Sequence, residues 1–151
     1  MPKDSTHRII NYLMLSVFIL LNFFYNLEHN FTIIIVFMIA YVIGSEFLSP
    51  DLDTNSRPSQ RLGILSYPIR KLSRHRGLGH SIFIGWILKV LYIIVLIALI
   101  SLIINWLKLS SYIPKIQISN EIIYASLLGI FLSNLIHIIT DRISTLYKRY
   151  T

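Results

Sequence analysis

Four runs of apolar side chains, each near or above the length of a bilayer-crossing helix, constrain this chain more than any other feature. A hydrocarbon core of about 30 Å takes about 20 helical residues, with a range of about 17–25. The runs lie at about 9–25, 31–48, 82–107 and 122–139. Only Asn11, Ser16 and Asn22 interrupt the first, no charge falls in Thr32–Met38 of the second, and the third is long enough to tilt. Of 151 residues, 54% are hydrophobic and 14% charged, whereas a soluble domain carries about 25% charged residues. A water-soluble fold of this size cannot hide that much apolar surface. Disordered, collagen-like and disulfide-scaffold classes are excluded too, with 6 Gly, 5 Pro and no Cys. The expected fold is an all-α membrane protein with four transmembrane helices in a single domain over residues 1–151. The first run reads as a retained helix, since bulky Phe23-Phe24-Tyr25 stands where a signal peptidase needs small residues.

Orientation follows from Lys and Arg, which cytoplasmic loops retain. Lys3 and Arg8 precede the first run, Arg57, Arg61, Arg70, Lys71, Arg74 and Arg76 lie between the second and third, and Arg142, Lys148 and Arg149 follow the fourth. Between the first and second runs there is none, and between the third and fourth only Lys108 and Lys115. Both termini and the 49–80 loop are therefore expected in the cytoplasm of a multi-pass protein of the cell membrane. The net charge of +7 is accounted for by topology and anionic lipid, and no nucleic-acid partner is expected.

The side chains able to bind metal gather at the same face. His7 precedes the first run, Asp51 and Asp53 follow the second, His75 and His80 precede the third, and His137 and Asp141 end the fourth. This clustering is independent of the Lys and Arg count, and it leaves Glu28 and His29 on the opposite face. Asp51 and Asp53 point the same way if their segment is extended. His137 and Asp141, four apart, share a helix face. Gly77 and Gly79 permit a tight turn between His75 and His80. Imidazole with carboxylate suits Zn²⁺, Mn²⁺ or Fe²⁺ better than Mg²⁺ or Ca²⁺, and the number of candidates leaves room for one divalent ion or two. Each signal has a plainer counterpart: turn chemistry for Pro50-Asp51, a solvated histidine for His7, a helix-end hydrogen bond for His137 and Asp141. Jointly they favour metal, because ionisable groups beside membrane helices are costly and usually functional. Lys89 and Glu46 read as snorkelling charges or as a mutual pair. Arg57, Arg61, Arg70 and Lys71 read as headgroup contacts, and Trp86 and Trp106 as an interfacial belt.

The strings Leu48-Ser49-Pro50-Asp51-Leu52-Asp53, Ser56-Arg57-Pro58 and Arg61-Leu62-Gly63 resemble a poorly characterised family of membrane-embedded metal-binding proteins of archaea and bacteria. His75-Arg76-Gly77-Leu78-Gly79-His80-Ser81 resembles the signature of the related inner-membrane metal-dependent hydrolases. The likeness extends from Thr6-His7 to His137 and Asp141, with one departure: Arg8 stands where the family often has an acid. It implies a multi-helix membrane protein whose His and Asp residues bind metal.

The leading expectation is a metal-dependent hydrolase at the cytoplasmic membrane surface, acting on a phosphate-ester or lipid-linked substrate. Arg74 and Arg76 would clamp an anionic group with their planar donor forks. A non-catalytic structural or sensory metal protein is the alternative. A transporter fits less well, because every candidate ligand sits at one face. Serine-hydrolase and nucleotide-binding motifs are missing from the sequence.

Overall fold

A computed structural model describes residues 4–72, 81–112 and 117–150. Arg74, His75, Arg76 and His80 lie outside the described residues. Helix follows helix along the chain: α1 (Asp4–Tyr25), α2 (Phe31–Glu46), a 3-10 turn (Pro50–Asp53), α3 (Arg57–Leu62), a second 3-10 turn (Gly63–Ser66), α4 (Tyr67–Leu72), α5 (Ile82–Trp106) and α6 (Asn120–Tyr150). No strand occurs among the described residues.

Among the described residues, three helices are long and apolar enough to cross a membrane: Ser5–Tyr25 within α1, α5, and Asn120–Tyr147 within α6. The second of the four expected spans falls short. α2 has 16 residues and rises about 24 Å, below the roughly 30 Å of a hydrocarbon core. Its start is set by Asn30, whose side chain accepts the Thr32 amide at 3.0 Å. The fourth helix is longer than expected, continuing through Asp141 to Tyr150.

α2 packs most extensively along α6, and two glycines explain how. A Cβ on Gly129 would stand 2.7 Å from the Phe37 carbonyl oxygen and 2.9 Å from the Tyr41 amide nitrogen. A Cβ on Gly44 would strike Ser133 Oγ and stand 3.0 Å from Ile130 Cα. The two backbones touch directly, as small residues allow between apolar helices. Ala40, Leu48 and Ile130 form the core at this seam, with Trp86 and Ile93 of α5 packed against it. Trp86 meets Phe131 edge-on at 5.6 Å. It therefore faces inward, correcting the expectation of an interfacial tryptophan, while Trp106 is exposed.

The stretch expected as a loop over 49–80 is largely helical where it is described. Pro50 and Leu52 are fully buried and plug the first turn into the bundle. The Asp51 carbonyl fastens the turn by accepting from Ser56 Oγ at 2.7 Å, Thr54 Oγ1 at 2.9 Å and the Thr54 amide at 3.0 Å. α3 is tied to α2 through Arg61, which donates to the Glu46 carboxylate. At Gly63, φ is +55° with open space around it, a bend that glycine adopts without strain. The chain then doubles back beside α5, where Tyr92 donates its hydroxyl to the Leu65 carbonyl. Tyr92 lies about 15 Å along the helix axis from Ile82, so the 63–66 turn reaches well down the flank of α5.

Glu46 and Lys89 do not pair. Glu46, 6% exposed, accepts from Arg8 Nε at 2.9 Å and Tyr12 Oη at 2.8 Å as well as from Arg61. This one carboxylate joins α1, α2 and α3. Lys89 does not snorkel: it is buried and donates to Asn134 Oδ1 on α6 at 2.6 Å. Arg61, read as a headgroup contact, is instead the partner of a buried acid.

Candidate metal centre

His7 lies inside the first turns of α1, not before them, and is 4% exposed. That helix turns His7 and Asn11 to one interior face, where Asn11 Nδ2 donates to the His7 carbonyl at 3.2 Å and Tyr41 Oη donates to Asn11 Oδ1 at 3.1 Å. From α6, His137 and Asp141 project from successive turns, 4% and 7% exposed. Because α6 runs on past them, they are interior helix positions and no helix-end contact accounts for them.

The three residues meet. One ligand atom from each of His7, His137 and Asp141 lies within 4.8 Å of the others. The two imidazoles stack with centroids 4.0 Å apart and planes inclined by 15°. His7 Nε2 is 3.3 Å from Asp141 Oδ1, and His137 Nε2 is 3.7 Å from Asp141 Oδ2. Asp51, from the 3-10 turn, brings Oδ2 to 3.1 Å from His137 Nε2. Two ligands at about 2.0–2.2 Å from one tetrahedral ion stand about 3.3–3.6 Å apart. The His7–Asp141 and His137–Asp141 spacings, 3.3 and 3.7 Å to different carboxylate oxygens, lie near that range.

His137 Nε2 and His7 Nδ1 are buried and have no hydrogen-bond partner among the described residues, and a buried polar atom left so is costly. On the other edge of its ring, His137 Nδ1 lies 3.3 Å from Ser49 Oγ. In the tautomer that carries its proton on Nδ1, His137 donates to Ser49 and presents the lone pair of Nε2 toward the carboxylates. Metal-binding histidines are held in this manner. The donor set, two imidazoles and a carboxylate with Asp51 beside them, could therefore hold a metal ion.

Asp53 lies in the 3-10 turn, so the extended alternation expected to align it with Asp51 does not apply; its side chain is outside those described. Sequence reasoning overlooked Ser49. A Ser directly before Pro-Asp is a signal for a capped turn, since Ser49 Oγ also accepts the Asp51 amide at 3.4 Å.

The sequence profile of a family described as "Uncharacterized metal-binding protein (DUF2227)" matches residues 2–151. An "Uncharacterized protein" of Aquifex aeolicus (strain VF5) is 35% identical over 133 residues, covering 77% of this chain and 94% of that relative. No solved structure matches the chain.

Proposed function

Because the chain belongs to this family of metal-binding proteins, we propose that it is a multi-pass protein of the cell membrane that holds a divalent metal between α1 and α6 and works as a metal-dependent hydrolase at the cytoplasmic surface. One observation carries the reading: His7, His137 and Asp141 converge from distant parts of the chain into a buried cluster in which His137 Nε2 and His7 Nδ1 have no hydrogen-bond partner among the described residues. Three protein ligands would leave a coordination position for water or substrate, as catalytic sites do. A metal there supplies an activated water and positive charge at the attacked centre. Ser49 orients His137, the Asn11–Tyr41 pair steadies the turn that carries His7, and Asp51 is the nearest further carboxylate. His75, His80 and Asp53 are further ligand candidates. Arg74 and Arg76 offer planar donor forks for an anionic, phosphate-ester or lipid-linked substrate. The three long apolar helices support the membrane setting, and α2, short as it is, serves as the fourth span in this reading.

A second reading is favoured by the same convergence. Ligands from α1, the 3-10 turn and α6 would let a metal act as a structural staple. Elemental analysis and chelation of the purified protein separate the two. His7→Ala, His137→Ala and Asp141→Asn are each expected to reduce bound metal severalfold while the chain stays in the membrane. In the hydrolase reading, chelation abolishes turnover of phosphate or ester substrates with the melting temperature nearly unchanged. Melting on chelation, with no turnover beforehand, favours the staple. Full metal content in all three variants refutes the centre.

A further inference from the structure

The doubled-back segment and α5 enclose a feature that the metal centre does not use. Leu88, Leu91, Val95 and Leu99 form one stripe along α5, about 16 Å from end to end. Leu65 and Ile69 face this stripe across a lateral groove of about 450 Å³. Both walls remain open to the surroundings: Ile64 at the turn is 87% exposed and Val95 54%. An open, wholly apolar channel on the flank of a helix without charge from Val90 to Trp106 suits a hydrocarbon chain, not a water-borne ligand.

What lies at its end selects among hydrocarbon chains. Ile69 is followed on α4 by Arg70 and Lys71, both exposed, and no Asp or Glu occurs from Arg57 to Leu72. We infer that this groove binds one acyl chain of an anionic membrane lipid, with the lipid's phosphate at Arg70 and Lys71. The hydroxyl of Tyr92 on the Leu65 carbonyl holds the wall against α5. The segment 57–72 thus becomes a re-entrant hairpin, with a basic rim at headgroup level and an apolar tip alongside the tail. The inference rests on the membrane-spanning reading above and is independent of hydrolysis.

Native mass spectrometry of the full chain in detergent tests it, with equal dioleoyl-phosphatidic acid and dioleoyl-phosphatidylcholine added and metal content measured on the same samples. The expected result is retention of one phosphatidic acid in preference to phosphatidylcholine. Val95→Trp should lower that retention by about tenfold, the equivalent of two buried methylenes. Leu99→Trp should do the same from the far end, which decides the matter if Val95→Trp folds poorly. Arg70→Gln with Lys71→Gln should cut the preference by about thirtyfold, at two juxtamembrane charges lost. Equal retention of both lipids by wild type and variants would leave only unspecific lipid and overturns the proposal. A dimer that Val95→Trp dissociates overturns it as well, since a second copy would then fill the groove. Metal loss with lipid retained counts against the metal centre alone.

Discussion

Gly129→Ala tests whether the contact between α2 and α6 builds the candidate metal centre. The added Cβ would sit 2.7 Å from the Phe37 carbonyl oxygen and 2.9 Å from the Tyr41 amide. Both are helix backbone and cannot rotate away. Restoring an ordinary contact of at least 3.4 Å forces the helices apart by roughly 0.7 Å, and overpacking of this kind costs about 1–3 kcal/mol. His137 lies two turns further along α6, where the same displacement would stretch its 3.3 Å contact with Ser49 beyond hydrogen-bonding range. Loss of a contact that orients a ligand lowers metal affinity by about 10–100-fold. The melting temperature should therefore fall by several degrees, and a competitive chelator titration should show weaker metal binding in the same variant. Gly44→Ala provides the internal comparison, because its worst clash is with Ser133 Oγ, a side-chain end. Adding Ser133→Ala should recover much of the Gly44→Ala loss and none of the Gly129→Ala loss. Gly129→Ala with native melting temperature and native metal affinity would refute the reasoning, because the helices could not then lie as close as described.

Two further outcomes are expected. Arg61→Ala should free α3 from Glu46 and speed tryptic cleavage at Arg70 and Lys71 severalfold, with Arg61→Lys intermediate because a single ammonium cannot reproduce a guanidinium's donor geometry; unchanged proteolysis would mean that the Glu46 junction does not hold the hairpin. Reporters fused to the C-terminus should be active only when they require the cytoplasm, since the Lys and Arg distribution sets orientation; an externally active fusion would remove the cytoplasmic placement of the centre.

The long apolar helices were legible in the sequence because the demand for about 20 apolar residues is local and leaves a local trace. α5 begins at Ile82 as expected and ends one residue early, at Trp106. The pairing of His137 with Asp141 was legible for a similar reason, as four residues is a helical repeat. What depends on distant partners was not. Lys89 looks like a snorkelling charge until Asn134 of α6 is beside it, and Trp86 looks interfacial until Phe131 closes on it. Glu46 finds Arg8 and Arg61 across 38 and 15 residues. The 57–72 segment carries prolines, a glycine and basic residues, the composition of a cytoplasmic loop. Its helices follow from anchors such as buried Pro58 and Ser59, which no periodicity announces. His7 was singled out by residue type but placed outside the helix, because helix starts with a polar first turn resemble the tails that precede them.

The candidate ligands of the cluster are residue 7 and residues 137 and 141, which stand far apart in the sequence. During synthesis α1 precedes α6, so the His7 imidazole is without these companions until α6 has been made. A metal therefore cannot guide the insertion of the early helices. If the cluster holds a metal, His7, His137 and Asp141 can share it only once α6 has docked against α1. Chains released early or truncated before His137 would carry every apolar segment up to α5 and yet hold no metal at this centre. On the proposed reading, occupancy of the centre would report that α1 and α6 have docked against each other.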